Sequence, residues 1–389
     1  MSLQPLPKKI LTINFGGIGD EILFLPTLLE VKKLLPDSRI SLLLEPRSKS
    51  VKEVTDLVDE VLPFDIKKRP LLPSDYLKLL SLTRQGKYDL VISSGSSPMV
   101  AMLLFASGIP VRIGYDAGSP VKSLLTHPVN LNKEQYAGNM YHDLSRGLRA
   151  YLDEHHKGHT VRTSDGDGML QIPRVTIDRA AAARMQEALS TEERLLKKRL
   201  SLAPTGGASR PAEDEQDEPV QRILIHPGTS RLAVQKGIIK TWDSQNWLTL
   251  IRSLLAQKSL SKPIEIILAG GPDDEEVMKD LMQALGSEAD KLINFYGKTR
   301  SLADLAALIE ITDLFICVDS APMHVAVGLD KKVVALFGPT DPAKLIPRQK
   351  NFCALSDNAA TTRSLLDGLG VRLLPDTVVQ SSLDLLRQG

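Results

Sequence analysis

Short, continuous runs of Val, Ile and Leu alternate along this chain with longer stretches whose apolar residues recur every three or four positions. In the first half the runs fall at residues 10–15, 40–45, 60–64, 90–93 and 111–115, and each predicts a strand. The spacing predicts helices over 21–35, closed by Pro36, over 76–85 and over 98–106. Strands that alternate with helices imply βαβ units and a parallel sheet. Strands that are apolar throughout, not only at every second residue, imply a sheet covered on both faces.

The pattern then breaks and restarts. Residues 177–200 are rich in Ala, Leu, Arg and Glu and predict one long helix. Residues 203–219 read APTGGASRPAEDEQDEP. So few apolar side chains cannot offset the entropy of ordering, and the segment is read as a flexible acidic linker or insertion. Beyond it, strands are expected at 222–226, 264–269, 314–318 and 333–337. Helices are expected at 247–257, 274–285, 303–311, 323–327 and 377–386. The expected organisation is an α/β domain over 1–176, a connecting helix and linker over 177–219, a second α/β domain over 220–375 and a closing helix over 376–389. Open parallel sheets bind ligands at the carboxyl ends of their strands, so two sheets facing each other would hold a cleft between the domains.

Composition narrows the function without naming it. The 389 residues carry 48 Lys and Arg against 47 Asp and Glu, a formal net charge of +1. That balance creates no global field for nucleic acid, and no nucleic-acid partner is expected. Lys67-Lys68-Arg69 and Lys197-Lys198-Arg199 are read as solvated faces. Cys317 sits in an apolar run and is read as a small buried hydrophobe. Two unpatterned cysteines make neither a disulfide framework nor a zinc site, which favours a reducing compartment. Residues 1–9 lead into no signal-peptide stretch. The longest apolar run, 99–111, is broken by Ser107, Gly108 and Pro110 and falls short of the roughly 20 residues that span a bilayer. Membrane contact is therefore expected to be peripheral, at most, for a cytoplasmic protein.

Four segments carry candidate chemistry. The first, Asn14-Phe15-Gly16-Gly17-Ile18-Gly19-Asp20-Glu21, ends the first strand in a glycine turn that lets backbone approach a ligand. From Gly17 it lacks the third glycine of a dinucleotide fingerprint, which disfavours an NAD site. Asp20 suits either a helix cap or a general base held over the cleft, and the sequence leaves the two open. The second, Ile225-His226-Pro227-Gly228-Thr229-Ser230, is followed by Lys236, Lys240 and Trp242. Its hydroxyl and ammonium groups suit a diphosphate, although alone it reads as an exposed loop.

The third runs from Val318 through Asp319-Ser320-Ala321-Pro322-Met323-His324. Asp319 or Ser320 can cap the following helix, and small residues leave its first N–H groups open to an anion. His324, in that first turn, reaches the same anion or is a buried hydrogen-bonded histidine. The convergence of phosphate-friendly features favours the former. The fourth, Gly270-Gly271-Pro272-Asp273-Asp274-Glu275-Glu276, offers acids for ribose hydroxyls or for capping a helix. Asp165-Gly166-Asp167 has the form of a metal-binding D-x-D but follows no hydrophobic strand and is read as a turn. No metal site is expected.

These segments, in this order, resemble glycosyltransferase family 9, the ADP-heptose:lipopolysaccharide heptosyltransferases. The resemblance rests on GGIGD followed by ILFLPTL, on IHPGTS, on Lys240, Trp242 and Trp247 in K-x-W-x-x-x-x-W, on D-S-A-P-M-H over 319–324, and on Gly338-Pro339-Thr340. It spans most of the chain, although residues 203–219 depart from it as an insertion. The family implies a GT-B architecture, two Rossmann-like domains with parallel sheets facing an interdomain cleft. It implies inverting, metal-independent transfer from an ADP-sugar, which is a substrate and not a cofactor, to a glycan or glycolipid acceptor. By resemblance Asp20 matches the base and Lys240 the lysine on the donor diphosphate. Thr229, Ser230, Asp319, Ser320, Ala321 and His324 match the donor-binding turns, and Glu275 or Glu276 the ribose-binding acid. Gly17, Gly19, His142 and Arg146 fall on the acceptor side. The implied setting is the cytoplasm, peripheral to the inner membrane face.

An NAD-dependent oxidoreductase, a sugar-nucleotide epimerase of similar fold and a non-catalytic sugar-nucleotide-binding protein are the rival readings. The missing third glycine speaks against the first, and the presence of both Asp20 and Lys240 against the last.

Overall fold

In the computed structural model the described residues are 5–67, 72–118, 121–156, 169–202, 219–258, 260–357, 364–366 and 368–388. The D-x-D at 165–167, residues 203–218 of the acidic segment, and Lys68 and Arg69 lie outside them. The chain divides into two compact units, Met1–Thr176 and Ile177–Gly389.

The first unit is built on six parallel strands: β1 (Lys9–Ile13), β2 (Arg39–Leu44), β3 (Glu60–Pro63), β4 (Leu90–Ser93), β5 (Val111–Tyr115) and β6 (His127–Val129). They lie in the order β3-β2-β1-β4-β5-β6. Its helices are α1 (Ile18–Leu34), α2 (Pro73–Gln85), α3 (Pro98–Ser107), α4 (Ala137–His142) and α5 (Ser145–His155). Every residue of β4 is buried, as are four of the five in β1, which accounts for their unbroken apolar sequence. Between β1 and β4 the winding reverses, so the loops that leave these two strand tips part to opposite faces and open a crevice.

The second unit repeats this winding. Its strands are β7 (Gln221–His226), β8 (Ile264–Leu268), β9 (Ile293–Asn294), β10 (Leu314–Val318), β11 (Val333–Phe337) and β12 (Phe352–Ser356), in the parallel order β12-β11-β10-β7-β8-β9. The reversal falls between β7 and β10. The helices are α6 (Arg179–Leu202), α7 (Arg231–Gln235), α8 (Ser244–Leu255), α9 (Glu275–Leu285), α10 (Leu302–Glu310), α11 (Ala321–Gly328), α12 (Pro342–Leu345) and α13 (Pro375–Arg387). The long helix α6 packs along α10 and buries Ala181, Met185, Leu189 and Leu196. Its charged face is partly paired within the unit: Arg184 meets Asp304 at 2.7 Å, Glu193 meets Arg222 at 2.7 Å and Glu192 meets Lys298 at 2.6 Å.

The hydrophobic pattern locates the central strands to within a residue or two. It misses β6, β9 and β12, of which β6 and β9 have only three and two residues and lie at a sheet edge. It also misses α5, whose buried Leu148, Tyr151 and Leu152 do follow helical spacing. Cys317 is buried in β10 and burial pushes its thiol pKa well up. Cys353 in β12 is half-buried and shifted the same way.

Candidate functional site

In each unit the polar groups gather at the tips of the two strands that flank the winding reversal. In the first unit β1 ends at Ile13, and Asn14, Phe15, Gly16 and Gly17 turn the chain into α1. Gly16 is demanded by close approach, because a Cβ there would lie 2.1 Å from the Cβ of Asp20. Asp20 is the third residue of α1, and its Oδ2 accepts from the Gly17 N–H at 2.8 Å, the acidic half of a capping box. Its Oδ1 accepts from the Tyr141 hydroxyl at 3.3 Å. Asn14 ties the turn across the crevice. Its Nδ2 donates to the Asp20 carbonyl at 3.3 Å, and its Oδ1 accepts from Ser94, just beyond β4, at 2.5 Å. The cap reading of Asp20 is thus real, and it uses one carboxylate oxygen of two.

Two neighbours define the electrostatics of this turn. Glu21 is buried, and burial pushes its carboxyl well above the ordinary range, with the Asp20 charge adding to the shift. Asn14 and the Gly16 backbone lie near enough to favour its charged form, yet neither carboxylate oxygen completes a hydrogen bond of normal geometry. Tyr141 is pushed well above its ordinary value by burial first and by the Asp20 charge second, so it remains a hydrogen-bond donor. Tyr141 is the residue of the Tyr141-His142-Asp143-Leu144-Ser145-Arg146 segment that meets Asp20. His142 is half-buried, its pKa lowered chiefly by burial, with the Glu30 charge opposing that shift and the Arg149 charge adding to it. Arg146 is exposed and pairs with Asp143 at 3.1 Å. Gly17 is the N-cap of α1, and Gly19 lies in its first turn.

In the second unit Lys240, from the loop between α7 and α8, and Thr340, from the loop after β11, converge on one carboxylate at the tip of β10. Asp319, just beyond β10, is 3% exposed, and its Oδ2 accepts from Lys240 Nζ at 2.6 Å and from Thr340 Oγ1, just beyond β11, at 2.7 Å. Ser320 occupies the N-cap position of α11 with no side-chain bond to the helix; its hydroxyl donates back to the Val318 carbonyl at 3.2 Å. The first turn of α11, from Ala321 to the buried His324, therefore has no side-chain cap and keeps the partial positive charge of a helix start. Asp319, one of the two expected caps, is engaged with Lys240 instead. Thr229 is buried after β7, and Ser230 caps α7 by accepting from the Ala233 N–H at 3.3 Å.

The acidic turn after β8 is resolved by Asp274. A Cβ on Gly228 would lie 1.9 Å from Asp274 Oδ1, and Oδ2 accepts from the Gly271 N–H at 2.7 Å and lies 3.5 Å from His226 Nε2. Glu275 and Glu276 stand exposed in the first turn of α9. The two tryptophans of the Lys240 segment belong to the core: Trp242 and Trp247 pack edge-to-face with centroids 5.0 Å apart, and Trp242 Nε1 donates to the Leu373 carbonyl at 3.1 Å. Among the described residues, His127, Glu154 and His155 on β6 and α5 bring one potential metal-ligating atom each within 4.8 Å of the others.

Sequence reasoning passed over Asn14, Ser94, Tyr141 and Thr340 as site residues, and did not single out Asp274 among the acids of its segment. Four of these five stand in segments that already drew notice (Ser94 is the exception), but their roles depend on contacts between distant strand tips.

The sequence model of glycosyltransferase family 9 (heptosyltransferase) matches residues 171–365. A lipopolysaccharide heptosyltransferase 3 of Escherichia coli is 24% identical over 332 residues, covering 83% of this chain and 81% of that protein. Among solved structures, a glycosyl transferase family 9 protein from Veillonella parvula DSM 2008 superposes with a TM-score of 0.70 at 20% identity, over 100% of this chain and 99% of that one. The E. coli ADP-heptose LPS heptosyltransferase II superposes with a TM-score of 0.67 at 21% identity, over 98% and 99%. At such identities the structural likeness is one of fold, and it matches the expected GT-B class of two parallel α/β sheets.

Proposed function

The chain belongs to glycosyltransferase family 9, and from that premise we propose that it transfers heptose from ADP-heptose to a lipopolysaccharide-type glycolipid, with inversion and without a metal ion. The observation that carries this reading is the Lys240–Asp319–Thr340 cluster beside the uncapped start of α11. A cationic ammonium and a helix N-terminus side by side suit the diphosphate of a nucleotide sugar. The heptosyltransferase names of the relatives supply the sugar and the ADP moiety.

The work divides between the units. In the second, Lys240 and the N–H groups at the start of α11 hold the diphosphate, with Thr229, Ser230 and His324 around it. Asp319 orients Lys240: a carboxylate has no affinity for phosphate, but its bond to Nζ and the bond from Thr340 hold the ammonium in place. Glu275 or Glu276, exposed at the start of α9, meets the ribose hydroxyls. In the first unit Asp20 is the base, with Gly17 and Tyr141 fixing its carboxylate and Gly19, His142 and Arg146 on the acceptor side.

In the step itself an acceptor hydroxyl oxygen attacks the anomeric carbon as the bond from that carbon to the diphosphate oxygen breaks. The hydroxyl proton passes to Asp20, and the charge growing on departing ADP is taken up by Lys240 and the α11 dipole. Lys240 supplies the cation that a metal would otherwise provide. No helix among the described residues is long and apolar enough to cross a membrane. We place the reaction on the cytoplasmic side, where nucleotide sugars are available. The test is incubation with ADP-heptose and a heptose-deficient lipopolysaccharide core. Release of ADP only when both are present is the expected result. A donor altered without acceptor would instead mark an epimerase, and preference for a UDP- or GDP-sugar would remove the ADP assignment.

A further inference from the structure

Two neighbouring helices of the first unit present an apolar face whose exposed charges are all positive. α2 and α3 pack side by side, and Arg84 Nη2 on α2 donates to the Ala106 carbonyl on α3 at 2.7 Å. Outward they show Tyr76 and Leu77 from the first, with Leu72 at its N-cap, and Met99, Met102 and Phe105 from the second, with Leu77 68% and Phe105 55% exposed. Met99, Met102 and Phe105 are spaced three apart and form one stripe along α3. A single exposed leucine is ordinary, whereas six large apolar side chains on adjoining helices mark an interaction surface.

The charge pattern says what kind of surface it meets. The acidic and basic residues of α2 and α3 are Asp75, Lys78 and Arg84. Asp75 is buried and accepts from the Leu72 N–H at 3.0 Å, so the exposed charges are the two cations. The half-buried Arg112 guanidinium lies 5.6 Å over the Phe105 ring, so the nearest charge to that ring is also a cation. An apolar face on two helices whose only exposed charges are cations is complementary to an anionic bilayer.

Its place in the fold gives it a use. In a parallel sheet a helix that follows a strand begins at the strand's carboxyl end. α3 follows β4 after residues 94–97, and Ser94 of that loop bonds Asn14 of the Asp20 turn. The N-terminal ends of α2 and α3 thus lie at the same end of the sheet as Asp20. We propose that the α2–α3 face seats the first unit on an anionic bilayer surface, so that the hydroxyl of a lipid-anchored acceptor is delivered to Asp20. This rests on the glycolipid-acceptor reading for its purpose, but the surface stands apart from that reading in its test.

The experiment is co-sedimentation of the full chain with vesicles of phosphatidylcholine alone and of phosphatidylcholine with phosphatidylglycerol. The wild type binds the anionic vesicles, and raised salt weakens that binding. Leu77→Asp with Met102→Asp lowers partitioning by ~10-fold or more, because two apolar side chains no longer bury. Lys78→Glu lowers it severalfold. All three positions are exposed, so the variants keep the wild-type melting temperature and ADP binding, which serve as folding controls. The proposal is overturned if the wild type leaves anionic vesicles unbound, or if the double variant binds them as well as the wild type. It is equally overturned if the wild type sediments as a dimer that the double variant dissociates while vesicle binding is absent. Binding is scored without donor or turnover, so vesicle binding by a chain inactive towards ADP-heptose would count against the heptosyl reading alone.

Discussion

Lys240 and Asp319 stand 79 residues apart in sequence, yet Nζ and Oδ2 are 2.6 Å apart at the tips of the second sheet. The pair is unequal in its exposure, with the lysine side chain 19% accessible and the aspartate 3%. The aspartate is the buried partner of the pair, and the lysine is the more open one.

Removal of the lysine should therefore have two consequences. Lys240→Ala leaves Asp319 buried and uncompensated, at a cost of about 3 kcal/mol in stability, and removes the cation proposed for the diphosphate. Denaturant unfolding should register the first and calorimetric ADP binding the second, with affinity reduced at least tenfold by the loss of a charge-assisted contact. Lys240→Ala combined with Asp319→Ala should regain much of the stability and none of the affinity. Unchanged ADP affinity in Lys240→Ala would exclude it from the diphosphate site.

Asp20→Asn tests the base. The amide oxygen can still accept from the Gly17 N–H, so the turn is retained. Turnover should fall by ~10²–10⁴-fold, the usual worth of a general base, while ADP binding in the other unit stays as it was. A variant that turns over at the wild-type rate would remove Asp20 from the chemistry.

Gly16→Ala probes the same carboxylate from beneath. A Cβ placed 2.1 Å from the Asp20 Cβ must displace it, so activity should drop as in Asp20→Asn, again with ADP binding retained. Gly228→Ala, whose Cβ would meet Asp274 at 1.9 Å, lies in the second unit and should weaken ADP binding instead. Equal effects of the two substitutions on ADP affinity would contradict the division of labour between the units.

Glu21 gives a pH signature. Burial raises its folded-state pKa well above the reference of 4.5, so between that value and the folded pKa the native state holds a proton that the unfolded chain has lost. Its contribution is complete below pH 4.5 and declines as pH rises towards the folded pKa. Glu21→Gln, neutral at every pH, should match the wild type in stability near pH 4.5 and exceed it increasingly towards neutrality. Parallel urea titrations at pH 5 and pH 8 measure the difference. A gap that stays constant would mean that Glu21 ionises freely in the fold.

The sequence by itself determined the architecture and marked the segments that are candidates for chemistry. Buried strands in a doubly covered sheet must be apolar throughout, so β1, β4, β7, β10 and β11 announce themselves, and turns that approach a ligand need glycine. Those are local demands, and local demands leave marks in sequence. Partnership left no such mark. That Asp20 would cap its helix with one oxygen and receive Tyr141 on the other depends on a contact across 121 residues. That Asp319 would hold Lys240 and Thr340, while Ser320 left α11 uncapped, depends on the α7–α8 loop meeting the tips of β10 and β11. The tryptophans of the Lys240 segment carry the motif and lie in the core, a placement that packing decides and the motif alone does not. The α2–α3 face belongs to the same class: its residues read as ordinary helix positions until the fold shows which of them stand exposed among the described residues.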